Sequence, residues 1–140
     1  MIDSFSGEFH FLSNFSRSSF CLHGYAYPTV EHYFQALKMT NEVDFQRVRE
    51  SYTPGDAKRL ARSLPKRAFW DQMKVDIMLC GLREKFKQNP SLKKRLLETG
   101  DEILVEGNTW NDTFWGVYKG TGLNTLGVLL MQVRAELNEI

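Results

Sequence analysis

Helix-start signals punctuate the middle of this chain at short intervals, and they constrain its fold more than any other feature. Thr29, after Tyr27-Pro28, is a good N-cap, and Val30, Tyr33, Phe34 and Leu37 recur at the i, i+3, i+4, i+7 spacing of one helix face. That spacing predicts a helix over 29–39. Asn41 is placed to cap a second helix reaching about Ser51. Thr53-Pro54-Gly55-Asp56 is a strong third start, with proline at the first helical position and an acid at the third. A long helix over about 69–88 carries Val75, Met78, Leu79, Leu82 and Phe86 on one face. Asn89-Pro90-Ser91 breaks it and opens a helix with Leu92, Leu96 and Leu97 that stops at Gly100. A last helix turns Leu126, Leu129, Leu130, Val133 and Leu137 to the core.

Strand-like segments are few and short. Residues 8–12 and 19–22 group aromatics in strand fashion, His23-Gly24 makes a turn into a strand over 25–27, and 103–105 reads as one more. A glycine-bearing loop over 107–122 precedes the last helix. The expected class is α+β, predominantly helical, with a few short strands in one domain over 1–140.

Composition mostly excludes. Lys plus Arg is 18 against 17 Asp plus Glu, so no bulk charge draws the chain to nucleic acid or a membrane surface. Apolar runs stop at four or five residues, far short of a membrane span. Met1 leads directly into Ile2-Asp3-Ser4 without a secretory pattern, and Cys21 and Cys80 read as free thiols, so a reducing, cytoplasmic setting is expected. His10, His23 and His32 lack metal-ligand spacing, and neither metal nor cofactor is expected.

Charge and aromatic residues are distributed unevenly. The stretch 58–95 holds twelve basic residues against Asp71, Asp76 and Glu84. It reads either as solvated helix faces or as a basic flank for a phosphorylated substrate. Of 18 aromatic residues, nine precede residue 35 and four lie in 110–118. These two dense regions each hold part of what could carry chemistry.

In the 29–39 helix, Glu31, Gln35 and Lys38 fall together opposite the apolar stripe. Glu31 and Lys38 would stand roughly 10 Å apart along the axis, a separation suited to acting on one small substrate from two ends. The same residues read equally as a solvated face whose acid favours the helix start. In the run from Gly107 to Gly116, two Trp, a Phe and several amide or carboxylate side chains could wall a flat ligand beside Asp112. Alternatively this is a loop folded over the core, with Asp112 capping a turn. Lys119-Gly120-Thr121-Gly122-Leu123-Asn124 offers either backbone N–H groups to an anion at a helix start or a plain turn with Asn124 as N-cap.

Taken in order, these pieces resemble a known family. Phe11-Leu12-Ser13-Asn14-Phe15, the run from Tyr27-Pro28-Thr29-Val30-Glu31-His32 through Gln35-Ala36-Leu37-Lys38, Lys85-Phe86, Asn111-Asp112-Thr113-Phe114-Trp115-Gly116 and Gly122 through Met131, with Val133-Arg134 following, are similar to the signature of the YbiA-like NADAR superfamily. The resemblance implies a compact, largely helical α+β domain that cleaves N-glycosidic bonds between ribose and a base. Its substrates would be riboflavin-pathway ribosylamino-pyrimidine phosphates or ADP-ribose conjugates, including ADP-ribose on guanine in nucleic acid.

Carried over by matching position, the catalytic set is Glu31, Lys38, Asp112 and Trp115. Glu31 would serve the sugar and its water, and Lys38 the ribose or base, either by proton transfer or through a Schiff base with ring-opened ribose. Trp115, with Phe15 and Trp70, would stack on the base. Ser13 and Asn14 would contact substrate, and Gly120, Gly122 and Asn124 would hold phosphate. Lys58 offers a second amine, but the family pattern varies there and gives it no role. The other classes are a non-catalytic NAD- or ADP-ribose-binding module and, on the basic stretch alone, a nucleic-acid binder.

Overall fold

The computed structural model describes residues 1–139, and the chain divides into two compact units, one of Asn14–Asn89 and one of Met1–Ser13 with the chain from Pro90 onward. Helices dominate both, and the only sheets among the described residues are two short two-stranded pairs. No described helix is long and apolar enough to cross a membrane.

The 14–89 unit opens on a hairpin. β1 (Phe20–Leu22) pairs antiparallel with β2 (Tyr25–Tyr27), Phe20 opposite Tyr27. His23 and Gly24 both take positive φ, the mirror-image turn whose twist suits a two-residue hairpin. Gln88 completes the edge: its amide accepts from the Cys21 N–H and donates to the Cys21 carbonyl, as a neighbouring strand would. Four helices follow: α1 (Val30–Ala36), α2 (Glu42–Arg49), α3 (Pro54–Arg62) and α4 (Trp70–Gln88). Thr29, Asn41 and Thr53 each accept a backbone N–H three residues on, so all three expected caps form.

The short helix α1 packs against α2, α3 and α4. All seven of its residues are buried, Glu31, His32 and Gln35 included. Tyr33 meets Phe20 and Tyr27 edge-on at 5.6 and 5.2 Å and donates its hydroxyl to the Ile77 carbonyl. Gly81 on α4 lies against the Tyr33 ring so closely that a Cβ there would sit 2.6 Å from it.

In the other unit, residues 7–12 form a 3₁₀ helix rather than the expected strand. Gly7 has φ of 59°, and the N–H groups of Phe9 and Ser13 reach the carbonyls three residues back. Phe11 and Leu12 are consecutive and both buried, which strand alternation would not allow on one face. Arg95, on α5 (Pro90–Glu98), lays its guanidinium 4.1 Å from the Phe11 ring. The expected strand at 103–105 is a single parallel bridge, Leu104 to Ile2. The loop before the last helix contains a two-residue parallel pair, β3 (Gly107–Asn108) with β4 (Val117–Tyr118). Helix α6 (Thr125–Asn138) buries Leu126, Leu129, Leu130, Val133 and Leu137 as its periodicity predicts.

Candidate functional site

Helix α1 carries the first two candidates, and everything around it fixes their position. At its start, the Thr29 hydroxyl accepts from the His32 N–H at 3.0 Å and lies 2.8 Å from His32 Nδ1. His32 Nε2 is 2.9 Å from the Ser51 carbonyl, which can only accept, so Nε2 carries the proton and Nδ1 accepts from Thr29. Burial holds the His32 pKa below its ordinary value, keeping the ring neutral in this role. His32 is therefore a packed, satisfied histidine that ties the start of α1 to the end of α2.

Glu31 is 7% exposed. Its backbone N–H donates to the Asn14 carbonyl at 3.1 Å, and Oε1 lies 3.4 Å from Gln35 Nε2. The solvated-face reading of these residues fails, because the helix is buried all round. Asn14 sits beside Glu31 through that backbone bond, and its side-chain oxygen is buried without a hydrogen-bond partner. Phe15 is 38% exposed.

The helix does not run to residue 39. It closes at Ala36 in a tighter last turn, where the N–H groups of Lys38 and Met39 reach carbonyls three residues back. The Lys38 carbonyl instead accepts from the Arg67 N–H at 2.8 Å, Met39 bridges Lys66, and the Arg67 guanidinium donates to the Leu37 carbonyl. The segment 66–67 thus fastens the backbone on either side of Lys38.

The Lys38 ammonium lies 5.1 Å from the Phe34 ring centre and 5.9 Å from that of Trp70. These rings tilt against each other at 5.1 Å, and Trp70 is only 8% exposed. Burial lowers the Lys38 pKa from 10.5 to about 8; Glu31 opposes the shift, and Lys66, Lys58 and Lys74 add to it. The structure thus brings together Glu31, Lys38 and Trp70, with Asn14 on the Glu31 backbone.

Asp112, Trp115, Ser13, Gly120, Gly122 and Asn124 belong to the other unit. There the 107–116 loop is organised by a residue the sequence reading did not single out. The Asn108 amide accepts from the Asp112 N–H at 3.0 Å and donates to the Asp112 and Val117 carbonyls. An Asn beside Gly107 was visible in the sequence, but its partners lie up to nine residues on. Asp112 Oδ1 accepts from the Phe114 and Trp115 N–H groups at 3.1 and 2.9 Å, the turn-capping arrangement. Trp115 is half-buried and packs edge-on against Phe114 at 4.9 Å. Ser13 closes the 3₁₀ helix through its N–H.

In the glycine segment, the backbone at the start of α6 follows the plain-turn alternative. Gly120 and Gly122 take positive φ, but the N–H groups of Leu123, Asn124, Thr125 and Leu126 donate to the carbonyls of residues 113–116. Asn124 occupies the N-cap position in a left-handed conformation without capping α6 through its side chain. That amide instead accepts from the Glu106 N–H and donates to the Leu104 carbonyl, both at 2.9 Å. The start of α6 is thus closed by protein carbonyls, and these four donors are not presented to phosphate.

Among the described residues, no group of three His, Cys, Asp or Glu lies together as a metal site would require. One buried ionisable group appears in the sequence only as part of the family motif, with no sign of its burial. Lys85 on α4 is fully buried, and desolvation lowers its pKa to about 7. The apolar period passes through Leu82 and Phe86 and hides a lysine between them.

Comparison with known proteins bears out the family resemblance. N-glycosidase YbiA of Escherichia coli strain K12 is 39% identical over 137 residues, covering 96% of this chain and 85% of its own. A riboflavin biosynthesis protein of Vibrio vulnificus is 39% identical over 132 residues, covering 92% of this chain and 36% of its own length. The NMR structure of E. coli YbiA superposes with a TM-score of 0.87 at 37% identity, covering 99% of this chain and 88% of that one. The NADAR domain model matches residues 4–138, so this chain belongs to the NADAR domain family.

Proposed function

We propose that this chain is an N-glycosidase that hydrolyses the bond between ribose and a base in a phosphorylated ribosyl substrate, either a ribosylamino-pyrimidine phosphate or an ADP-ribose conjugate. The observation that carries the reading is a buried carboxylate and a desolvated amine held on α1 and its closing turn, with the Phe34 and Trp70 rings beside the amine. The name of the E. coli relative supports N-glycosidase chemistry, and that of the V. vulnificus relative supports a riboflavin-pathway substrate.

Breaking the C1′–N bond places positive charge on the sugar, and a fixed carboxylate in a poorly hydrated setting stabilises it or takes a proton from attacking water. Glu31 has that role. Lys38, with a pKa of about 8, remains largely protonated at neutral pH and can give its proton to the departing base. The neutral fraction supports a second route, in which the amine adds to C1′ of the ring-opened ribosylamine, displaces the base as its free amine and leaves a Schiff base that water then hydrolyses to free the ribose and the lysine. Trp70 and Phe15 serve the base. Asp112 and Trp115 keep the catalytic places the motif resemblance gives them, with Oδ2 the Asp112 oxygen for substrate because Oδ1 holds two backbone N–H groups. Ser13 and Asn14 contact substrate.

The test offers purified protein the riboflavin-pathway ribosylamino-pyrimidine phosphates, NAD and ADP-ribosylated guanosine, and follows base release by chromatography. Release from one of them is expected. Binding without release from any would make the chain a nucleotide-binding module. Borohydride treatment during turnover separates the routes: a ribosyl adduct on Lys38 marks the Schiff base, and its absence marks direct hydrolysis.

A further inference from the structure

Three lysines of the basic 58–95 stretch stand on separate elements that adjoin α1 and its closing turn. Lys66 lies beside Met39 in an antiparallel bridge, next to the Arg67 N–H that holds the Lys38 carbonyl. Lys74 stands one turn beyond Trp70 on α4, on the side that brings the Trp70 ring within 5.9 Å of the Lys38 ammonium. Lys58 is on α3, which packs against α1, and follows the fully buried Ala57. All three act on the Lys38 ammonium as like charges.

Glu31 is the acidic group that opposes them there. Asp71 lies 3.2 Å from Lys74 on an 83% exposed side chain, so it offsets only part of the Lys74 charge. Lys66 is exposed and Lys58 and Lys74 are half-buried, so their side chains leave a local excess of positive charge that an anion would offset.

We propose that Lys58, Lys66 and Lys74 form the phosphate subsite of the Glu31–Lys38 site, recognising the phosphomonoester or diphosphate of the ribosyl substrate. The inference rests on the N-glycosidase reading for the remainder of the ligand. It assigns phosphate recognition to residues other than Gly120, Gly122 and Asn124, since the N–H groups of Leu123, Asn124, Thr125 and Leu126 at the start of α6 already donate to protein carbonyls. Lysine ammonium groups suit this task because they are compact charges that need no fixed fork geometry.

The experiment measures inorganic phosphate and pyrophosphate binding by calorimetry at low salt, without turnover. The probes are the wild type, the Lys58→Met/Lys66→Met double variant, Lys74→Met, and Lys94→Met as a control on α5. Loss of at least about tenfold in affinity is expected in the double variant, the scale of one charge-assisted hydrogen bond. Lys74→Met should weaken binding less, because Lys74 shares its charge with Asp71, and Lys94→Met should leave it unchanged. Equal weakening by Lys94→Met, or none in the double variant, overturns the subsite.

A second readout does not depend on phosphate. Nζ resonances report the Lys38 pKa, which should rise in Lys66→Met because one like charge is gone, with Glu31, Lys58 and Lys74 still facing it. An unchanged value removes Lys66 from the subsite. Phosphate binding through these lysines without base release would leave the subsite standing and remove the enzymatic reading. Base release with equal KM for phosphorylated and dephosphorylated substrates would do the reverse.

Discussion

Lys38 and Lys85 are the residues whose environment departs furthest from that of an ordinary lysine. Burial lowers them from 10.5 to about 8 and about 7. The folded protein therefore binds fewer protons than the unfolded chain between those values and 10.5, and stability rises with pH across that window. The rise starts near pH 7 for Lys85 and near pH 8 for Lys38. Replacing Lys85 by Met removes one of the two contributions, so urea unfolding from about pH 6.5 to about pH 10 should show a shallower gain than in the wild type. An equal gain would show that Lys85 is not held neutral. For Lys38 the pairing with Glu31 decides the direction. Glu31→Gln removes the one charge that raises its pKa, so the Lys38 resonance should titrate below about 8. A titration moving toward 10.5 would mean that Glu31 does not act on Lys38.

The elements of the 14–89 unit hold Glu31 and Lys38 through a helix too short to be stable alone. Its anchors are Thr29 with His32 at one end and residues 66–67 at the other. Thr29→Ala removes the cap and leaves His32 Nδ1 buried without its donor, at a combined cost of about 2–3 kcal/mol. Urea unfolding measures that loss. Base release should fall in the same variant, because Glu31 is next to the freed end. Gly81→Ala tests packing instead, since its new methyl meets the Tyr33 ring, and about 1–3 kcal/mol of destabilisation is expected from calorimetric unfolding.

These same elements show why the sequence was readable in parts. Thr29, Asn41 and Thr53 act within three residues, so their caps could be read directly from local order. The end of α1 could not, because it is set by Arg67, 29 residues beyond Lys38. The 3₁₀ helix at 7–12 was mistaken for a strand because clustered aromatics do not distinguish alternation from an i, i+3 repeat. The burial of Glu31 and Gln35 was hidden for a related reason. Periodicity marks which face of a helix is apolar, and it gives no account of packing on the polar face. Asn124 was read correctly as standing at the start of α6, but its side-chain partners, Leu104 and Glu106, lie about twenty residues back.

At the scale of the whole chain, the family model spans 4–138 and so takes in residues of both compact units. Motif order over that length identified the family where each motif separately left two readings open. The balance of charge is equally uninformative in total, 18 basic against 17 acidic, yet locally the 58–95 stretch carries twelve basic residues against three acids. A KM for phosphorylated substrate that rises steeply with salt, against a nearly salt-independent KM for the dephosphorylated form, is the expected whole-protein consequence. Equal salt dependence would assign the effect to the general surface.

The most direct test of the account is base release by the wild type and by Glu31→Gln, with ligand binding measured on both proteins. Release by the wild type, its loss in the variant and retained binding are predicted, since Gln keeps the shape of Glu31 and removes its charge. Full activity in Glu31→Gln would contradict the account, because the buried carboxylate on α1 would then have no part in cleaving the bond.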